Sequence, residues 1–144
     1  MAQDQYIIKQ ISVFSENKPG RLAAVARALQ EEKINIFAFS IAEADGFGVV
    51  RALVNHPEKA HKRLTDLGFM VTFTNVIGVK MRDEPGGLYA IASVLGEAGI
   101  NIEYAYAYSG KKAAVLILRV DDTPGAIAQL LDRGVDLMEG TAFQ

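Results

Sequence analysis

The chain has 144 residues, half of them apolar and 22% charged, with a formal net charge of −2 and no cysteine. This balance fits a soluble globular protein of one ordinary domain or two very small ones. It offers no long-range field for nucleic acid or an anionic membrane, and it excludes disulfides and thiolate metal sites. The opening MAQDQY lacks a basic segment followed by an apolar run, and no apolar stretch approaches the roughly 20 residues of a bilayer-spanning helix, so a cytoplasmic protein is expected.

In chain order, residues 7–14 (IIKQISVF) are β-branched and aromatic and read as a strand. Residues 20–32 place Leu22, Val25, Ala26 and Leu29 at helical spacing. Residues 34–42 and 47–54 flank the turn signal EADG and read as a hairpin. A second helix starts after His56-Pro57, with Ala60, Leu64 and Leu67 as its apolar face and Gly68 just past its end. FMVTFT then reads as a fourth strand, and Thr74-Asn75 as a short connector. The remainder repeats the order: strand 76–82, helix 86–98, a hairpin of 100–108 and 112–120 turning at Ser109-Gly110, helix 124–133 capped by Thr123, and strand 135–142.

The repetition extends to residues. At a constant shift of 66 positions, Pro19 meets Pro85, Gly20 meets Gly86, Leu22 meets Leu88 and Leu29 meets Leu95, and Ile34-Asn35-Ile36 recurs as Ile100-Asn101-Ile102. Two copies are too few for a solenoid. The expected fold is α+β: two ferredoxin-like βαββαβ units, residues 1–74 and 75–144, packed together, each an antiparallel sheet with both helices on one face. The short connector and the small core of a unit this size both favour packed units over tethered ones.

Each repeat keeps Pro-Gly ahead of its first helix. A helix beginning there points unpaired N–H groups into the loop, and with the helix dipole these favour a carboxylate or phosphate. Asn17 can meet either end of a zwitterion, because its amide both donates and accepts. The candidate mouth of the first unit is Ser15, Asn17, Lys18, Pro19, Gly20, Arg21 and Leu22; Asn35 and Ile36 open the following strand. The second mouth is Asp83, Glu84, Pro85, Gly86, Gly87 and Leu88, followed by Asn101 and Ile102. Within a unit the asparagine lies at the far end of the helix, so a neighbouring unit would have to supply it. Taken alone, NKPG reads as a structural turn and Asn35 as a polar residue at a strand start; the binding reading rests on their joint recurrence.

The run SENKPGRLAAVARALQEEKINIFAF resembles the ACT domain, a small regulatory module of amino-acid metabolism, and the resemblance extends over both units. The first unit is most similar to the serine-sensing ACT module of phosphoglycerate dehydrogenase. The resemblance implies a non-catalytic protein that binds a small amino acid at the interface between units, held by Asn17 with Asn101 or, less favourably, by Asp83 with Asn35. That module's histidine falls on Ser15, which changes one contact. Asp83 and Glu84 stand where the first unit has Asn17 and Lys18, so unequal pockets are expected, the first being the amino-acid site. A regulated biosynthetic enzyme is the implied partner, and further pairing into a homodimer is expected. The alternative is a ligand-free regulatory or interaction subunit of such an enzyme.

Other patterns carry less. Tyr104, Tyr106 and Tyr108 alternate and share one sheet face, as packing residues or with a hydroxyl at the pocket. A nucleic-acid platform would need them within a basic surface, which the net charge opposes. His56 and His61, the only histidines, have no metal-ligand spacing, and Asp121-Asp122 reads as charge at a helix start. No nucleophile–base pair, phosphate loop or dinucleotide fingerprint is present, so no catalytic residue, metal or cofactor is expected.

Overall fold

The computed structural model describes residues 2–109 and 114–143. The elements are β1 (Ile7–Glu16), α1 (Arg21–Glu31), β2 (Ile36–Ala44), β3 (Phe47–Val54), α2 (Pro57–Asp66), β4 (Met70–Met81), α3 (Gly87–Glu97), β5 (Ile102–Ser109), β6 (Ala114–Val120) and α4 (Thr123–Asp132). Short 3-10 turns occupy Ala2–Tyr6 and Gly140–Phe143. The chain divides into two compact units: Lys9–Thr74 with Phe143, and Asn75–Ala142 with residues 2–8.

In the first unit the strand order is β2-β3-β1-β4, β4 contributing Met70–Thr74. β1 and β2 run antiparallel to β3, with Val13 opposite Val50 and Phe39 opposite Ala52. Asp45 and Gly46, at φ 53 and 79, form the two-residue turn between β2 and β3, the mirror-type geometry that matches the twist of a hairpin. Both helices cover one face. Val25, Ala28 and Leu29 of α1 and Ala60 and Leu64 of α2 pack on Ile11, Val13, Ala52 and Val54. Each large aliphatic side chain fully buried there contributes about 1.5–3 kcal/mol. On the other face of β1, buried Gln10 donates from Nε2 to Ser12 Oγ at 3.2 Å, and Ser12 Oγ lies 3.2 Å from Thr74 Oγ1. Buried polar groups are thereby paired, as they must be to avoid a desolvation penalty.

The second unit repeats the plan. β6 lies between β4 and β5, with Val79 opposite Leu116 and Tyr106 opposite Ile117. Its core is Ile77, Val79, Leu116, Leu118 and Val120 under Ile91, Val94 and Leu95 of α3 and Ala126, Ile127 and Leu130 of α4. Tyr104, Tyr106 and Tyr108 are half-buried on the sheet face away from these helices, beside Arg119, Ile117 and Val115.

Several expectations are corrected. Residues 135–142 do not form a strand. Lys80 N–H donates to Asp136 O at 2.9 Å and Met138 N–H to Gly78 O at 2.7 Å, with a single bridge between Val79 and Leu137, after which the chain curls into a 3-10 turn. Gly140 there lies so close to the Ile7 carbonyl that a side chain would collide with it, which draws the segment off the strand path. Thr74-Asn75 is not a connector, because β4 runs unbroken through it. The α4 cap is Asp122, which accepts from Gly125 N–H at 3.0 Å, and Thr123 is already helical. Ala28, not Ala26, belongs to the buried stripe of α1, and Leu67 is exposed while Phe69 packs on the core. Gly110 and the start of the expected 112–120 strand fall outside the described residues.

Candidate functional site

The first Pro-Gly loop is built from its ends inward. Ser15, next to last in β1, lies opposite Gly48 and donates from Oγ to Glu16 O at 3.0 Å. Asn17 N–H donates to Gly46 O at 2.8 Å, which ties the loop to the β2–β3 turn. Arg21 N–H closes the Pro19-Gly20 turn on Lys18 O at 3.1 Å. Gly20, at φ 91, is the residue before α1, and no side chain caps the helix. Its left-handed backbone suits glycine alone without strain, and the space around it is open. Lys18 Nζ lies 2.6 Å from Glu16 Oε2. The hydrogen bond and charge of Lys18, with Arg21 assisting, hold the Glu16 carboxyl below its usual range. Glu16 and Arg21 are the charged lining of a crevice of about 10 Å³ reached also by Ser15, Asn17, Leu22 and Gly48.

The second loop has the same backbone and different chemistry. Gly86 is again at φ 91 ahead of an uncapped helix, and Gly87 N–H donates to Glu84 O at 3.1 Å. A side chain at Gly87 would strike the Arg82 carbonyl, so the loop folds tighter than at the matching Arg21. This mouth opens on a groove of about 870 Å³ whose charged lining is Lys80, Arg82, Asp83, Glu84 and Asp136. Arg82 and Glu84 meet at 3.5 Å. With three carboxylates and two cations the groove leans negative, whereas the crevice of the first mouth has one of each, Glu16 and Arg21.

The strand-start asparagines are fixed through their backbones. Asn35 N–H donates to Asn55 Oδ1 at 3.0 Å and Asn55 N–H returns to Asn35 O at 3.2 Å. In the second unit Asn101 N–H donates to Asp121 Oδ1 at 3.0 Å and Asp121 N–H returns to Asn101 O at 3.2 Å. Asp121 is therefore a loop clasp. Asn35 lines a shallow hollow with Gln30 and Lys33, separate from the crevice at Asn17. Ile36 and Ile102 pack against the two cores. Leu22 and Leu88 are exposed at the mouths, 38% and 55%. His61 stacks on Phe73 at 4.7 Å, and Lys9 Nζ stands 4.8 Å from the same ring. Among the described residues there is no cluster of His, Asp or Glu that could hold a metal, and no helix is long and apolar enough to cross a membrane.

Sequence reasoning missed Gly48, Lys80 and Asp136. Gly48 is legible only from the hairpin register that sets it opposite Ser15. Lys80 and Asp136 meet through the backbone bond described above, which no motif announces.

Two βαββ-α arrangements, each with Pro-Gly before its first helix, agree with the comparison to family models: residues 6–143 match the ACT domain pair. The chain belongs to this family. The solved structure of protein BT0572 from Bacteroides thetaiotaomicron is 36% identical, with a TM-score of 0.91 and 96% of each chain covered. The regulatory subunit of aspartate kinase from Thermus thermophilus, in its ligand-free form, shares the fold at 16% identity and a TM-score of 0.64, covering 91% of this chain and 95% of that one. The regulatory subunit of aspartate kinase from Thermus flavus does so at 15% identity and 0.60, covering 86% and 90%. No curated protein matches the sequence.

Proposed function

We propose that this ACT domain pair is a non-catalytic regulatory protein that binds a small amino acid at a Pro-Gly mouth and so controls an amino-acid biosynthetic enzyme. The observation that carries the reading is the twice-built loop in which a left-handed glycine, at φ 91 both times, precedes a helix that no side chain caps. Such a helix start favours the α-carboxylate of a zwitterion. The first mouth is the better site for that group, since Arg21 offsets Glu16 in its crevice and Lys18 is paired with the same carboxylate, while Asp83, Glu84 and Asp136 repel it at the second. Asn17 lines the same crevice as Arg21. A strand-start asparagine from another ACT unit completes the reading as the sequence suggests it. The regulatory subunits of aspartate kinase among the structural relatives support an enzyme partner of the same kind.

Binding would act by favouring one arrangement of the protein over another, which requires different affinity for the two. Thermal melting against the twenty amino acids tests this directly. A ligand at a hundred times its dissociation constant adds about 2.7 kcal/mol of stability. Asn17→Ala is expected to weaken binding more than Asp83→Ala. No stabilisation by any amino acid at millimolar concentration, with capture of a biosynthetic enzyme that no amino acid modulates, would select the ligand-free interaction subunit instead.

A further inference from the structure

In the first unit a hollow of about 130 Å³ lies between α1 and the sheet, and its lining presents no polar surface. Its floor is the buried face of Ile11, Val13, Val25, Leu29 and Ala52. Its rim is Leu22 and Phe39, 38% and 52% exposed. Phe39 reaches the helix side because it pairs with Ala52, a residue of the helix-covered core. The hollow adjoins the mouth: Val13, Leu22, Val25 and Val50 line both it and the crevice at Asn17 and Arg21. At the positions matching Phe39 and Ile41 the second unit has Ala105 and Ala107, so the large apolar rim is a property of the first.

An unfilled apolar space beside a core forfeits dispersion contacts on every wall. A dry apolar cavity of about 150 Å³ takes a guest the size of benzene. The hollow at 130 Å³ therefore suits a branched four-carbon side chain and is too small for an indole. A hydroxyl, amide or charge placed there would lose its water and find no partner. The mouth offers groups for the other end of such a ligand, since Arg21 lines the crevice for the α-carboxylate and Glu16 and Asn17 line it for the ammonium.

Granting an amino-acid ligand at the first mouth, as proposed above, we infer that the ligand is a branched-chain aliphatic α-amino acid, its side chain in this hollow and its carboxylate toward Arg21. Titration calorimetry on the full chain with L-leucine, L-isoleucine, L-valine, L-alanine, L-serine, L-aspartate and L-tryptophan tests the inference. One methylene in an apolar pocket is worth roughly 10–200-fold. The branched set should bind at least about 100-fold more tightly than alanine or serine, on that per-methylene basis. Ala26→Leu fills the hollow from an exposed helical position and should lower leucine affinity at least about 10-fold on the same basis, while Ala23→Leu, exposed on the same helix and outside the hollow, should leave it unchanged. Serine or aspartate binding as tightly as leucine, with Ala26→Leu without effect, overturns the inference and leaves the amino-acid reading standing. Binding of none of the seven overturns the inference. Extending the titration to all twenty amino acids then shows whether the amino-acid reading falls with it. Should Ala26→Leu fail to fold, nuclear Overhauser contacts between leucine methyls and the Phe39 ring in the unaltered protein decide: their presence supports the placement and their absence at saturation overturns it.

Discussion

Phe37 and Phe143 meet edge to face, their ring centroids 5.6 Å apart and their planes at 67°, although most of the sequence separates them. Phe143 is 4% exposed and Phe37 38%, so the contact is sealed on one side only. Edge-to-face pairs contribute about 0.5–1.5 kcal/mol beyond burial. Phe143→Ala is expected to cost about 3 kcal/mol, the low end for a buried Phe→Ala change, because one partner keeps some water contact. Urea unfolding measures it. An unchanged midpoint would mean that the two rings do not meet in solution.

Lys33 offers a gain in stability. It adopts φ 57 just past α1, while the matching residue past α3 is Gly99 at φ 73. Both follow the same helix ending, in which Ile34 N–H reaches Leu29 O and Ile100 N–H reaches Leu95 O, each at 2.9 Å. A side chain in this left-handed conformation is strained and glycine is not. Lys33→Gly is expected to stabilise the protein by about 0.5–1 kcal/mol, with the more flexible unfolded chain taking back part of the relieved strain. A fall in melting temperature would contradict this.

The start of α4 depends on Asp122. Its Oδ1 accepts from Gly125 N–H at 3.0 Å, and a Cβ at Gly125 would collide with that carboxylate. Asp122→Ala should cost about 1 kcal/mol and Asp122→Asn much less, since an amide oxygen also caps. Gly125→Ala should be as harmful as the loss of the cap. Thermal unfolding of the three variants gives the order.

Alkaline pH should weaken the protein through Tyr108. Burial raises its pKa above the ordinary value, because the phenolate is disfavoured away from water. A group whose folded pKa is raised contributes stability that is complete below its unfolded pKa, about 10 for tyrosine, and lost as pH climbs through the folded value. Stability should therefore fall above about pH 10, and less steeply in Tyr108→Phe. Tyrosinate absorbance followed against pH should show one late-titrating phenol that disappears in the variant.

Much of this architecture could be read from residues. The constant shift of 66 positions holds because each unit must bury the same helical stripe: Val25 and Leu29 in one, Ile91 and Leu95 in the other. Pro-Gly marked both helix starts because the left-handed turn before each needs glycine. What escaped the sequence depends on distant partners. Strong β-propensity on both sides of Thr74-Asn75 is compatible with two strands or with one, and periodicity carries no stop signal there. The 135–142 segment alternates like a strand until Gly140 meets the Ile7 carbonyl, a contact made by residues at opposite ends of the sequence. Thr123 and Asp122 are both good caps, and only the Gly125 amide chooses between them. The difference in charge between the mouths is legible in Asp83 and Glu84; only the fold brings Lys80 and Asp136, one of each sign, beside them.

The allotment of residues 2–8 to the unit of Asn75–Ala142, and of Phe143 to the unit of Lys9–Thr74, has a consequence for synthesis on the ribosome. Neither unit has all its pieces until the other has been translated. Ile8 leaves the exit tunnel long before Gly78, beside which its side chain lies, and Phe37 waits for the ring of Phe143. Contacts that close over such long stretches slow folding. The nascent chain should consequently stay sensitive to proteases until Phe143 has emerged, and then become resistant in both halves together.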